Sequence, residues 1–270
     1  MELHGARVLI TGASRGIGAE LARSLAAAGA QLALVARSRE PLEKVAADTG
    51  GIAYPTDLTD RAESGTLLQR VEADGPVDVL INNAGVDTTA RLTTFPADEI
   101  DDLLELNLHV PIQLCRQVLP GMVERRRGHL VNMSSMAATL IAPGIAAYCA
   151  SKAGLSHFHA ALRAEVRSEG AGDHVGTTLV EIGPTKTGMV DTLRSYGPTR
   201  RSVARLEKLQ LSYDLDVDRV VDEVVGAIRG DKQHVRLPRR AMAFPILGEA
   251  TRRITDLLMT GVDQRAANPD

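Results

Sequence analysis

Short, continuous apolar runs alternate along the chain with longer stretches in which apolar positions recur at helical spacing. Arg7-Val8-Leu9-Ile10, Gln31 to Ala36, Gly51 to Tyr54, Val77 to Ile81, His129 to Asn132 and His234 to Leu237 are of the first kind, and read as buried strands. Ile17 to Gly29, Pro41 to Asp48, Asp98 to Leu106, Val110 to Arg126 and Asp216 to Arg229 are of the second, and read as helices. The repeated strand-then-helix order predicts an α/β fold: a doubly wound parallel sheet with helices on both faces. In such sheets ligands bind outside the carboxyl ends of the strands, so the residues that follow each run matter most.

At 270 residues and 44% hydrophobic content, the chain fits one large domain with a substantial core. Tryptophan is absent and aromatics are 3%, so Ala, Leu, Val and Ile must fill that core. A net charge of -3 and a pI near 6.2 give no bias toward nucleic acid. The basic run Glu124-Arg125-Arg126-Arg127-Gly128 reads as an exposed turn after a helix. Cys115 and Cys149 make no disulfide framework, and Met1 to Gly5 runs straight into a strand-like segment without a secretory leader. A reducing, cytoplasmic setting is the expectation. No apolar stretch reaches the ~20 residues needed to span a bilayer.

Tyr148-Cys149-Ala150-Ser151-Lys152 carries the clearest chemistry, because a helix stacks the tyrosine and the lysine one turn apart on one face. A phenol with a pKa near ~10 is a poor base at neutral pH. An ammonium beside it favours the phenolate, and lowering the pKa by about 3 pH units takes roughly 4 kcal/mol. Thr11-Gly12-Ala13-Ser14-Arg15-Gly16-Ile17-Gly18 lies between the first strand and helix, where glycine lets the backbone approach a pyrophosphate at the helix N-terminus. Strand two ends in Arg37-Ser38-Arg39 with no carboxylate for a ribose hydroxyl. Arg37 and Arg15 therefore suit a 2'-phosphate. Asp57 is placed to accept from an adenine amino group, with Thr59 or Asp60 capping the next helix. Asn82-Asn83-Ala84-Gly85 ends the fourth strand, Asn107 stands where two helices meet near Pro111, and Ser135 follows the fifth strand. The loop Met136 to Ala147 is long enough to fold Ser135 back beside Tyr148.

In order and spacing, the glycine-rich turn, Asp57, Asn82 to Gly85, Asn107, Ser135 and Tyr148-x-x-x-Lys152 resemble the short-chain dehydrogenase/reductase family over about residues 5 to 236. The resemblance implies a Rossmann-type seven-stranded sheet, a nicotinamide cofactor, and a catalytic tetrad of Asn107, Ser135, Tyr148 and Lys152. Ser135 would hold the substrate oxygen and Tyr148 exchange its proton. Lys152 would bind the nicotinamide ribose and depress the tyrosine pKa, and Asn107 would hold a water that relays protons to Lys152. The cofactor would meet Gly12, Ser14, Arg15, Gly16, Ile17, Gly18, Arg37, Asp57, Leu58, Asn83, Ala84, Gly85, Tyr148, Lys152, Thr185 and Thr187, with NADP(H) favoured over NAD(H). His174 to Ile182 resembles the family's sixth strand, but Ile182-Gly183-Pro184 replaces the usual Pro-Gly. No metal is expected, since His157 and His159 point to different faces of their helix. A serine hydrolase would need a nucleophile elbow that is missing.

Residues 188–213 correspond to the family's substrate lid, and 237–270 form an extension expected to pack on the domain, a partner subunit or a membrane surface. Its helix-like stretch Ala250 to Leu258 carries the apolar face. The chain thus reads as an NADPH-dependent oxidoreductase that reduces a hydrophobic ketone, 3-oxoacyl or steroid-like, or reversibly oxidises a secondary alcohol. The rivals are an NAD-linked alcohol dehydrogenase and a non-catalytic NADP(H)-binding regulator. A homodimer or homotetramer is expected from the resemblance.

Overall fold

The computed structural model describes residues 1–185, 196–208 and 214–238. Seven strands form one sheet: β1 (Arg7–Thr11), β2 (Gln31–Ala36), β3 (Ile52–Pro55), β4 (Val79–Asn82), β5 (Gly128–Ser135), β6 (Val175–Ile182) and β7 (His234–Leu237). Their order is β3-β2-β1-β4-β5-β6-β7, and every neighbouring pair is parallel. The direction of winding reverses between β1 and β4, which opens a crevice at the carboxyl ends of those two strands.

Successive residues of β1 feed opposite faces, as the two-residue period of a strand requires. Val8 and Ile10 join Leu34, Val79 and Ile81 under α1 (Gly16–Ala27), α2 (Arg39–Thr49) and α8 (Val217–Arg229), which contribute Leu21, Leu42 and Val224. Leu9 joins Val35, Leu80 and Leu130 under α3 (Arg61–Glu72), α5 (Val110–Glu124) and α6 (Ala146–Ser168), which contribute Leu67, Leu114 and Leu162. Burial on both faces accounts for strands that read as unbroken apolar runs.

The two helices expected on either side of Asn107 are joined. α4 (Ala97–Leu104) passes through a π-helical turn, Glu105–His109, into α5. Pro111 explains why the join is irregular. It has no N–H, so the Asn107 carbonyl lacks the donor four residues on that a regular helix supplies. Asp60 rather than Thr59 caps α3, accepting from the N–H groups of Ala62 and Glu63 at 2.8 and 3.3 Å.

Within the expected lid, residues 196–208 are described, and Gly197–Lys208 is a helix, α7. Residues 188–195 and 209–213, and the extension beyond Pro238, lie outside the described residues, as does the apolar stretch Ala250 to Leu258. Among the described residues no helix is long and apolar enough to cross a membrane.

Candidate active site

The turn after β1 and the end of β4 are laced together. Asn83 Nδ2 donates to the carbonyls of Thr11 and Gly12 at 2.9 and 3.2 Å, while Thr11 Oγ1 accepts from the N–H groups of Asn83 and Ala84 at 3.0 Å each. Gly12 holds a φ of 68°, and a Cβ there would come within 2.9 Å of Ala84 Cα. Gly18 has no such space either, since a Cβ would run into the Gly12 carbonyl oxygen. Arg15, the N-cap of α1, supplies no side-chain cap to the first N–H groups of the helix. Those donors and the helix dipole face the crevice, an arrangement suited to a pyrophosphate.

Beside this turn, Ala13 N–H donates to the Val35 carbonyl at 3.1 Å, which ties the Arg15 turn to the end of β2. Arg37 there is exposed and pairs with Asp57 Oδ2 at 3.7 Å. Burial acts to raise the Asp57 pKa. Hydrogen bonds from Thr59 and the Arg37 charge more than offset it, leaving the carboxyl below its ordinary range. Leu58 is buried in the core against the α3 face, so any contact it makes with a nucleotide is through its backbone.

On the other side of the crevice stand the catalytic candidates. Ser135 ends β5, and its Oγ accepts from Ala137 N–H at 3.1 Å, which leaves the hydroxyl proton free to turn elsewhere. The Tyr148 phenol is within hydrogen-bonding reach of it. One turn along α6, the Lys152 ammonium lies 5.8 Å from the centroid of the Tyr148 ring and donates to the Met133 carbonyl at 3.1 Å. Both side chains are enclosed, Tyr148 7% and Lys152 6% exposed. Asn107 uses its side chain as a clamp: Oδ1 accepts from Val86 N–H at 2.9 Å, and Nδ2 donates to the Val86 carbonyl at 2.8 Å and to Ser151 Oγ at 3.2 Å. Gly85 sits between the clamp and the lysine; a Cβ there would lie 3.0 Å from Asn107 Oδ1 and 3.4 Å from Lys152 Nζ. The structure therefore brings Asn107, Ser135, Tyr148 and Lys152 together at the mouth of the nucleotide crevice.

One expectation is altered. Burial dominates Tyr148 and pushes the phenol up, with the Ser135 hydrogen bond opposing it, rather than the lysine drawing it down. Lys152 is itself pushed down by burial to about 8, with Asp87 opposing the fall.

The sequence reading passed over Asp87. It stands just past the Asn-Asn-Ala-Gly run, and burial pushes its carboxyl up to about 6. It also missed Ser151, whose hydroxyl donates to the Tyr148 carbonyl at 2.8 Å. Tyr196, one of the apolar residues of the expected lid, leads into α7. The Tyr196 hydroxyl accepts from Arg91 Nε at 3.2 Å, and its ring lies where a Cβ on Gly144 would point. With Thr199 Oγ1 donating to the Pro143 carbonyl at 2.7 Å, these contacts seat α7 on the loop before Tyr148. Asp87 is the lone carboxylate of the loop Val86 to Pro96, among threonines and Arg91, which is a weak signal. Thr185 is buried and its hydroxyl donates to the Gly183 carbonyl at 3.2 Å, while Thr187 lies outside the described residues. Among the described residues, no group of three His, Cys, Asp or Glu side chains could hold a metal.

Comparison with known proteins places this arrangement. The short chain dehydrogenase family profile matches residues 6–196. An uncharacterised oxidoreductase of Mycobacterium tuberculosis is 41% identical over 204 residues, which cover 71% of this chain and 58% of that protein. The chain thus spans little more than half the length of this relative. Nodulation protein G of Rhizobium meliloti is 36% identical over 195 residues, covering 71% of this chain and 78% of that protein. Among solved structures, a short-chain dehydrogenase from Sphingobium yanoikuyae in complex with NADPH superimposes with a TM-score of 0.75 at 28% identity, covering 97% of this chain and 99% of that one. A short-chain dehydrogenase from Streptomyces avermitilis gives 0.78 at 28% identity, covering 97% and 100%. With its seven parallel strands, its glycine-rich turn and its Ser135, Tyr148 and Lys152 at one crevice, the chain belongs to the short-chain dehydrogenase/reductase family.

Proposed function

We propose that the protein is an NADPH-dependent oxidoreductase that reduces the carbonyl of a hydrophobic ketone and can run in reverse on a secondary alcohol. The observation that carries this reading is the meeting of Ser135, Tyr148 and Lys152 beside a glycine-rich turn whose helix N-terminus suits a pyrophosphate. A nicotinamide nucleotide, when bound, supplies the hydride. The turn Gly12 to Gly18 would hold its pyrophosphate, Arg15 and Arg37 a 2'-phosphate, and Asn83, Ala84, Gly85, Thr185 and Thr187 would approach its remaining parts. Arg37 supports the phosphate-bearing cofactor because it is exposed at the end of β2, where an acidic residue would instead suit a free ribose hydroxyl.

The chain's own residues then have separable tasks. Ser135 donates to the carbonyl oxygen, where negative charge grows as the hydride arrives. Tyr148 gives that oxygen its proton, and a buried phenol kept protonated suits proton donation. The phenolate left behind would regain a proton from the Lys152 ammonium, which a relay water would reprotonate. Asn107 fixes Val86 and thereby the wall of the site, and its main-chain carbonyl, left without a regular helical donor by Pro111, suits the relay water that family resemblance implies.

The test is NADPH oxidation, compared with NADH, across a panel from small ketones to 3-oxoacyl thioesters and steroids. Tyr148→Phe should lower the rate by about 10²- to 10⁴-fold while leaving NADPH binding intact. An undiminished rate in Tyr148→Phe would defeat the assignment. Tight NADPH binding with no turnover across the panel would favour the non-catalytic rival.

A further inference from the structure

Lys152 is a buried cation with little to balance it. Among the described residues its ammonium donates to a neutral carbonyl, that of Met133. The elements around it offer few charges: β5 presents the Met133 carbonyl and the Ser135 hydroxyl, the π-helical turn presents the Asn107 amide, and α6 itself presents Tyr148 and Cys149. Glu181, on β6, has its carboxylate taken by His234 and Arg236 of β7. Asp87 is the charged side chain that does act on Lys152, and it also acts on Tyr148. Its position is built rather than incidental. The Asn107 clamp on both backbone groups of Val86 fixes the chain one residue before Asp87, and Gly85 brings the same segment against Lys152 Nζ. Asp87 Oδ2 is enclosed and has no hydrogen-bond partner. A buried carboxylate oxygen left unpaired is costly, and a cation near it offsets that cost in both directions.

We propose that Asp87 is a positioning residue for the reaction, whose carboxylate holds the protons of Lys152 and Tyr148 on the site and so carries to higher pH the protonation state from which carbonyl reduction starts. This rests on the reading of the site as a reductase, though the coupling of Asp87 to Lys152 does not. The sign is the same for both partners. A negative charge stabilises the ammonium and destabilises the phenolate, so both groups keep their protons to higher pH. Asp87 also titrates in a useful range, since burial has pushed its carboxyl up to about 6. Below that pH its hold on Lys152 fades.

The first measurement needs neither cofactor nor substrate. Lysines are few in the chain, Lys44, Lys152, Lys186, Lys208 and Lys232, so ¹³Cε-lysine NMR resolves Lys152, assigned by its loss in Lys152→Met. In the parent protein its midpoint should lie near 8. In Asp87→Asn it should fall by about 1 pH unit, and in Asp87→Glu, which keeps the charge, it should return toward the parent value. Asp87→Ser replaces the asparagine variant should that one not fold. An unmoved Lys152 midpoint in a folded, neutral variant overturns the proposal. The second measurement is the pH profile of ketone reduction by NADPH and of the reverse oxidation. Both limbs should move to lower pH in Asp87→Asn, whereas a merely structural defect would lower rates without moving them. A shifted lysine with unshifted limbs overturns the role in the reaction. A shifted lysine with no turnover of any ketone supports the Asp87 coupling and sinks the reductase reading alone.

Discussion

Residues 12, 18 and 83 are packed so closely that the nucleotide turn tolerates little change. Gly18 lies against the Gly12 carbonyl and within 2.6 Å, measured from a built Cβ, of Asn83 Nδ2. A methyl group there must push apart the backbone and the amide that laces β1 to β4, so neither partner can yield by swinging a flexible side chain. Overpacking of this kind costs about 1–3 kcal/mol. Gly18→Ala should therefore lose stability in urea unfolding by about that amount and weaken nucleotide binding more than tenfold by fluorescence titration. Unchanged affinity would mean that the turn is not the pyrophosphate site. Gly65, on the outer face of α3, has nothing within 4 Å of a built Cβ and makes the control, since alanine there should be neutral or slightly stabilising.

β5 and α6 together carry Ser135, Tyr148 and Lys152, and a seam of buried polar side chains fixes one against the other. Asn132 Nδ2 meets His159 Nδ1 at 3.0 Å, Asn82 Nδ2 donates to Asn132 Oδ1 at 2.8 Å, and His129 Nε2 meets Thr178 Oγ1 on β6 at 2.8 Å. Ser134 Oγ lies 2.8 Å from Ser156 Oγ, which reaches Glu181 Oε1 at 3.1 Å. Burial pushes His129 and His159 down to about 4 from 6.5, so both are neutral in the fold. The 3.7 Å approach of Asp231 to His129 is then not an ion pair near neutral pH. Because the unfolded chain binds more protons between those values, the stability these histidines contribute is present above pH 6.5 and is lost as pH falls toward 4. The loss is of order 2–3 kcal/mol for each. Denaturant unfolding at pH 7 and pH 4.5 should show it, and His129→Asn should flatten the dependence; an equal slope in the variant would count against the seam. What was legible in the sequence here, and what was not, divides by range. The Tyr148 to Lys152 spacing and the glycine turn are local patterns, set by one helix and one strand-to-helix turn, and they could be read directly. Asp87 and Glu181 gain their meaning only when segments far apart in the chain are folded against one another, and no spacing announces that. Burial, a property of the whole packing, likewise pushes the Tyr148 phenol up, and the spacing along one helix could not announce that.

At the scale of the whole molecule, the sheet holds its two cores rigid on either face while the crevice crosses the carboxyl ends of β1 and β4, where only the folded chain can assemble a nucleotide site. A ligand that binds the native state alone stabilises it by RT ln(1 + [L]/Kd), about 2.7 kcal/mol at a hundredfold excess over Kd. For a chain of this size each kcal/mol moves the melting temperature by about 2–4 °C, so NADPH should raise it by roughly 5–10 °C. On the proposed reading, Arg37 would decide how that gain divides between cofactors. It is exposed, and among the described residues its ion pair is the 3.7 Å pairing with Asp57, a surface contact worth little by itself, so turning it toward a phosphate forfeits little. Arg37→Ala should therefore shrink the shift given by NADPH while leaving that given by NADH nearly unchanged, because NADH lacks the phosphate that the guanidinium would meet. Equal shifts from the two cofactors in the parent protein, or an equal loss of both in the variant, would remove Arg37 from the cofactor choice and revive the NAD-linked alternative.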